Sequence, residues 1–463
     1  MVLCVASLAW VSPAVAARED VAPAFRPIAF VDVNVVPMDS DRVLQRQTVV
    51  IRKGRIEAVG PRRSTRVPRG SLRIDGRGLW LMPGLIDMHV HLNDPQDGAV
   101  YVANGVTTIR SMWGFPETLQ WRKEYMAGKR VGPTVYTTGT ILDGNPPIWP
   151  DSKVIETPEQ ADSEIVAEKA AGYDFVKVYS RLSRRGYAAI LDAAKRHGMR
   201  VVGHVPESVG LLGVLEARGQ ESIEHLTGYL IAAQKDGART DSISDRNEKI
   251  RAMVSNLDEV RIPELARKTR DAGVWSCVTL IVGKRMSELD HADSLMKNLP
   301  GVKYVAREMT ALWDPSKDFR FKGTTPGYFA SMRAVTAFQM RMTRALRDAG
   351  ARILLGTDAS NPFVVPGFST HEELALLVAS GLTPYEALRA GTADAAEFLH
   401  ADVGRIRKGM RADLILVEGN PLKDVHAASR RKGVVLRGRW IPAKELDEGL
   451  EVVAKNRAAE TVH

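Results

Sequence analysis

Sulfur is scarce in this chain. Its 463 residues include two cysteines, Cys4 and Cys277, which excludes a disulfide-stapled scaffold and a cysteine-ligated zinc centre. No apolar run reaches the ~18 residues that a bilayer-spanning helix needs, so no membrane span is expected. Neither sign of charge dominates: 64 basic against 55 acidic side chains leave a formal net charge of +9, a mild excess for this length. Glycine and proline number 38 and 24, close to ordinary usage. The apolar share of 44% and charged share of 26% exclude disordered and fibrous classes. What remains is a large soluble globular protein, read as an enzyme, whose chemistry rests on oxygen and imidazole ligands. At roughly 150 residues per domain the length suggests about three domains, although an α/β barrel takes 250 or more alone.

The first sixteen residues carry no charged side chain. An apolar stretch from Val2 to Val11 leads through Ser12-Pro13 to Ala14-Val15-Ala16, the small-residue ending that signal peptidase accepts. Residues 1–16 therefore read as a signal peptide and the protein as periplasmic or secreted, although the usual basic start is missing. The alternative is a buried N-terminal strand or helix. Cleavage after Ala16 would leave Cys277 alone, with no intramolecular disulfide. At the other end, Ala443 to His463 is charged and reads as a surface helix or frayed tail.

Between the ends, the patterning changes twice. Residues 28–80 hold β-branched runs, Ala29–Val36 and Thr48–Ile51, punctuated by Lys53-Gly54 and Asp75-Gly76. Ala412–Val417, Gly433–Leu436 and Trp440-Ile441 repeat that pattern near the end. The middle alternates apolar strands with helical stretches, which argues for βαβ units and a parallel sheet. Eight strand candidates can be counted there: Leu85–His91, Val106–Arg110, Thr134–Thr138, Phe175–Tyr179, Arg200–His204, Ser222–His225, Val274–Leu280 and Arg352–Asp358. The expected fold is α/β: a (β/α)8 barrel over 83–399 with a small β-sandwich domain assembled from 27–82 and 400–445. Lys284 to Tyr328 is long for a barrel connection. It reads as an inserted substrate-facing lid or, equally, a surface helical hairpin.

The chemistry concentrates at strand ends. In Pro83-Gly84-Leu85-Ile86-Asp87-Met88-His89-Val90-His91, residues i and i+2 of a strand face the same way, so His89 and His91 project together and can grip one divalent metal. Val201-Val202-Gly203-His204 and Ser222-Ile223-Glu224-His225 end in histidine, and Ile353-Leu354-Leu355-Gly356-Thr357-Asp358 ends in aspartate. In a barrel enzyme these ends converge on one face. Lys177, inside Phe175-Val176-Lys177-Val178, would be buried facing inward. It must then lose its charge or be modified; otherwise it faces outward and snorkels between helices.

These motifs resemble the amidohydrolase superfamily of metal-dependent hydrolases. The resemblance runs over nearly the whole chain: Pro-Gly-Leu-Ile-Asp-x-His-x-His at 83–91, Gly-Thr-Asp at 356–358, and Gly-x-Ile-x-x-Gly-x-x-Ala-Asp-Leu-Ile at 404–415. His371-Glu372-Glu373-Leu374 and Gly381-Leu382-Thr383-Pro384-x-Glu386-Ala387-Leu388 are similar to the prolidase-type and imidazolonepropionase-like branch. The resemblance implies two divalent metal ions, usually Zn2+. His89, His91 and Asp358 would hold one and His204 and His225 the other, with a carbamate on Lys177 bridging both. It also implies hydrolysis of an amide, most simply an Xaa-Pro dipeptide or an N-acyl amino acid, with Asp358 as the catalytic proton carrier.

Further residues are candidates for substrate contact. Tyr229 could donate to a developing oxyanion or be a packing tyrosine. Trp113, Trp149, Phe363 and Tyr328 suggest an apolar or aromatic pocket, and Arg285 or Arg341 could bind a carboxylate. Glu207, three residues after His204, suits the alternative of a mononuclear deaminase or imidazolonepropionase-like enzyme. Lactone, ester or organophosphate hydrolysis would use the same hydroxide. A ligand-free scaffold is disfavoured by the complete ligand set. The basic runs Arg62-Arg63-x-x-Arg66 and Arg430-Arg431-Lys432 lack interleaved aromatics, so they read as solvated loops rather than a nucleic-acid surface. The expected partner is a small-molecule substrate, with a homo-oligomer left open.

Overall fold

A computed structural model describes residues 26–461 apart from 239 and 241; the signal-peptide reading of residues 1–16 lies outside them. Eight parallel strands follow one another around a barrel in sequence order. They are Leu85–Val90, Val106–Ser111, Thr134–Asp143, Phe175–Val178, Arg200–Gly203, Gln220–Glu224, Trp275–Cys277 and Ile353–Leu354. The first and last meet where Met88 N–H donates to the Leu355 carbonyl at 2.9 Å and Val90 bridges Ala359. The expected strands are all present. Four, however, stop short of the residues that carry the chemistry. His91, His204 and His225 each follow the last strand residue, and Asp358 lies four beyond Leu354, so all four sit at the barrel mouth.

Below the mouth Ile86, Phe175, Val202, Trp275, Leu354 and Phe398 are buried in one apolar cluster, with the Arg110 guanidinium over the Phe175 and Phe398 rings. Gly356 is needed there because of close approach. A Cβ at that position would stand 2.4 Å from Cys277 Sγ and 2.9 Å from His89 Cβ.

Both chain ends build a second unit, one eight-stranded and mostly antiparallel sheet. Ile28–Val35 pairs antiparallel with Leu44–Arg52, which returns as Arg55–Pro61 through Lys53-Gly54. Both turn residues have positive φ, 50° and 76°, as a tight two-residue hairpin requires. Along its other edge Ile28–Val35 pairs first with Leu72–Asp75 and then with Leu79–Pro83. Leu79–Pro83 also pairs antiparallel with Leu414–Glu418, which leads to Arg431–Leu436 and Arg439–Pro442. Phe30, Val33, Val49, Ile51, Leu81, Leu414, Leu416 and Val435 form its core.

The chain closes with a helix, Ala443–Ala459, whose Leu446, Leu450, Val453 and Arg457 are buried. That spacing of four, three and four is an apolar stripe that the surrounding charge conceals in the sequence. The stripe packs on Val100 and Val102 of the barrel and on Val434, Leu436 and Ile441 of the sheet. Residues 284–328 form neither a simple hairpin nor a loose loop. Short helical turns there gather Leu289, Val305, Trp313, Phe321 and Tyr328 into their own core.

Candidate active site

The mouth brings together every residue read as a metal ligand. His91 Nε2 lies 2.8 Å from Asp358 Oδ1, His89 Nε2 lies 3.3 Å from the same oxygen, and His225 Nδ1 lies 3.8 Å from Oδ2. The His89 and His225 rings are 4.4 Å apart between centroids, and His204 and His225 are 5.0 Å apart. Backbone strain aims these groups: His225, Thr279 and Asp358 all take left-handed φ, at 60°, 47° and 64°. For a β-branched residue such as Thr279 that is a costly conformation, held only because its surroundings impose it.

Three of the four imidazoles are oriented through Nδ1. His89 Nδ1 meets Glu224 Oε2 at 2.7 Å, His204 Nδ1 meets Ser180 Oγ at 3.0 Å, and His225 Nδ1 meets Thr279 Oγ1 at 2.7 Å. Glu224 accepts in turn from Arg110 Nη2 at 2.8 Å, and both side chains are fully buried. Arg110 also donates to the Met88 carbonyl at 2.6 Å. This is a chain of buried groups running from a guanidinium through a carboxylate to an imidazole, which fixes the tautomer of His89 and turns its Nε2 towards the mouth. In the sequence both Glu224 and Arg110 stand only as members of strands, and no motif marks either as functional.

Several atoms here have nothing to bond. His89 Nε2, His91 Nδ1 and His204 Nε2 are buried without a hydrogen-bond partner among the described residues. Lys177 is 1% exposed and has no ion pair or hydrogen bond among the described residues, its Nζ standing 5.5 Å over the Tyr179 ring. Burial lowers its ammonium to about 8. Burial likewise lowers His91 to about 4 and His225 to about 3, and holds His204 well below its ordinary value. The imidazoles are thus neutral, with lone pairs to offer. Burial alone would raise Asp358, but His225 and His89 beside it hold its carboxyl well below the usual range. Neutral imidazoles, an ionised carboxylate and orphaned inward nitrogens are what a divalent cation needs. Ligand atoms of His89, His225 and Asp358 already lie within 4.8 Å of one another.

The other candidates divide. Trp113 stands edge-on to His91 at 6.3 Å, and Trp149 is 5.7 Å from Trp113 with its indole N–H on the Tyr179 hydroxyl at 3.0 Å. Glu207 is exposed at the rim of a cleft of about 510 Å³ that Ser180 and Thr227 also line. Tyr229 is turned away. Its hydroxyl meets Thr269 Oγ1 at 2.7 Å, because the helical turn that starts at Tyr229 points it between helices. It is the packing tyrosine. Phe363 and Tyr328 belong to the buried cluster under the inserted segment. Arg285 is occupied by Glu372, Glu288 and the Phe363 carbonyl. Arg341 lies on an exposed helix face with Glu259. The basic runs are spent on ion pairs as well: Arg62 with Asp32, Arg430 with Asp424, Arg431 with Asp447 and Lys432 with Glu418.

The sequence profile of the amidohydrolase family matches residues 80–441, a span that contains every metal-ligand candidate. The chain belongs to the amidohydrolase family. Among curated relatives of this family member is the ochratoxinase of Aspergillus niger, 25% identical over 389 residues, which cover 76% of this chain and 73% of the relative. Among solved structures, a bottromycin amidohydrolase superposes with a TM-score of 0.75 at 24% identity, covering 93% of this chain and 91% of that one. A putative prolidase from Bifidobacterium longum superposes with a TM-score of 0.66 at 25% identity, covering 93% and 100%. The fold and the hydrolase class thus follow from the family.

Proposed function

We propose that this amidohydrolase cleaves a carbon–nitrogen bond, an amide or peptide bond, with two divalent metal ions, and that its substrate is an Xaa-Pro-type dipeptide or an N-acyl amino acid. The observation that carries the reading is the convergence of four histidines, Asp358 and the buried Lys177 at one barrel mouth, with His89 Nε2 and His204 Nε2 buried without a hydrogen-bond partner among the described residues. His89, His91 and Asp358 would hold one ion, His204 and His225 the other, and Lys177 would bridge them as a carbamate. When bound, zinc ions in such a site polarise a carbonyl and acidify a water near neutral pH. The lowered Lys177 supports the modification: a neutral amine attacks CO2, its nitrogen gains a carboxylate, and a proton leaves to solvent. Lys177 then becomes an anion facing cations instead of a stranded ammonium.

The remaining steps belong to the chain. Asp358, ionised and between His89, His91 and His225, takes a proton at its carboxylate and returns it to the departing nitrogen. Glu224 keeps His89 in one tautomer. The ending Ala14-Val15-Ala16 supports export to the periplasm or medium, testable by the N-terminal residue of the protein recovered from each fraction.

Zinc-reconstituted protein screened on dipeptides and N-acyl amino acids tests the activity; no turnover of any amide overturns it. Metal analysis with intact mass tests the centre: about two ions per chain and the added mass of CO2 on a Lys177 peptide are expected. One ion and no added mass would favour the second reading, a mononuclear deaminase or imidazolonepropionase-like enzyme. The tight His89–His225–Asp358 group is the feature that speaks for it.

A further inference from the structure

Aromatic residues make up 6% of the chain, yet a ladder of them lines one side of the mouth. Trp113 begins it beside His91, and Trp149 follows at 5.7 Å with the planes tilted by 53°. Phe319 then meets Trp149 edge-on at 5.3 Å, delivered by the inserted segment. Tyr179 joins the ladder to the second histidine pair, stacked on His204 at 4.0 Å and bonded to the Trp149 N–H. The wall therefore begins at the ligand groups and runs outward. Phe319 is 58% exposed, a large apolar side chain left in water at the rim.

Two observations give the wall a ligand of defined chemistry. Trp149 already has the Arg320 guanidinium 5.5 Å over its ring and Phe319 edge-on at 5.3 Å, so the room for a further ring is at the exposed Phe319. Aliphatic groups gain only burial there, while a ring also gains from the quadrupole. Independently, Trp113 Nε1 is buried with no acceptor among the described residues. An N–H stranded beside His91 lacks an oxygen partner that a bound molecule would bring. We propose that the substrate's amide lies within a few bonds of an aromatic ring, that the ring packs against Phe319 beside Trp149, and that an acyl or carboxylate oxygen next to it accepts from Trp113. This rests on the amide-hydrolase reading and names its substrate class: N-acyl or peptidyl derivatives of an aromatic amino acid.

A matched pair of probes tests it: N-acetyl-L-phenylalanine and N-acetyl-L-cyclohexylalanine, similar in size and differing in the ring's π system. On zinc-loaded protein, kcat/KM should favour the phenyl compound by about three- to tenfold. Titration of tryptophan fluorescence should give the same order of affinities. Phe319→Ala, at an exposed position that leaves the fold intact, and Trp149→Leu should move the ratio towards one, while Trp149→Phe retains it. Trp113→Phe keeps a ring but deletes the N–H, and should weaken both probes by a similar factor. Equal treatment of the two probes by the wild-type protein, or a ratio unmoved by both Phe319→Ala and Trp149→Leu, overturns the proposal. Preferred binding of the phenyl probe without hydrolysis of any amide leaves the wall standing and removes the hydrolase reading. Amide turnover without ring preference does the reverse.

Discussion

Glu224 Oε2 lies 2.7 Å from His89 Nδ1, with both side chains fully buried, and the other oxygen of the same carboxylate accepts from Arg110. One carboxylate thus neutralises a buried cation and sets the tautomer of a metal-ligand candidate. Glu224→Gln keeps the shape and removes the charge. Zinc affinity, measured by competition with a chromogenic chelator, should fall by about 10- to 100-fold. Glu224→Ala strands the guanidinium as well and should cost about 3–5 kcal/mol of stability in denaturant unfolding. Unchanged zinc affinity in the Gln variant would remove the positioning role.

Asp358 is expected to separate turnover from metal content. Asp358→Asn retains an oxygen beside His89 and His91 but cannot carry the proton. Turnover of the best amide should drop by about 10²–10⁴-fold while bound zinc, measured by elemental analysis, falls far less. Parallel losses of zinc and rate would reduce Asp358 to a ligand.

Glu373 supplies a pH dependence away from the metal site. Its buried carboxyl accepts from the backbone N–H groups of Leu280 at 2.9 Å and Ile281 at 2.7 Å, yet burial raises it from an ordinary 4.5 to about 8. The folded state then holds a proton that the unfolded chain releases. The stability is fully present below about 4.5 and is lost as pH rises through about 8, by ~1.4 kcal/mol per pH unit in between. Glu373→Gln should lack this slope, so the stability difference between the proteins changes steadily with pH across that window. A constant difference would overturn the assignment.

Arg457 is 2% exposed and holds Asp94 at 2.8 Å, Asp97 at 3.2 Å, Glu460 at 2.7 Å and the Tyr304 carbonyl at 3.2 Å. Asp94 follows His91 by three residues, and Tyr304 belongs to the inserted segment, so one guanidinium ties the final helix to both. Arg457→Ala should cost about 3–5 kcal/mol and hasten proteolysis between residues 289 and 325. Asp97, already raised to about 7 by burial, should recover part of that loss as Asp97→Asn in the double variant.

The barrel and the cluster of candidates at its mouth were legible because four of the six, His91, His204, His225 and Asp358, follow the end of an apolar strand. The pattern behind them was not. Alternation along a strand sends Glu224 and His225 to opposite faces, but the left-handed φ of 60° at His225 turns the chain, and both approach His89. No spacing rule announces such a turn. Tyr229 illustrates the converse: its distance from His225 suits a catalytic donor, but the helical turn after Gly228 carries its hydroxyl to Thr269. Arg285 and Arg341 were free cations only on paper: Glu372 and Glu259, which pair with them, lie 82 or more residues away in the chain, and Glu288 adds a local partner to Arg285. The stripe of the last helix was hidden because its fourth buried member is the arginine itself.

The pairing of Leu79–Pro83 with Leu414–Glu418 also constrains the order of events during synthesis. The N-terminal strands leave the ribosome with one edge of Leu79–Pro83 lacking its mate for more than three hundred residues. The barrel is complete once Asp358 and the helices after it have emerged, and the second unit can close only afterwards. Nascent chains halted before Leu414 should therefore carry an open apolar edge that attracts chaperones, although every ligand candidate of the mouth has already been made.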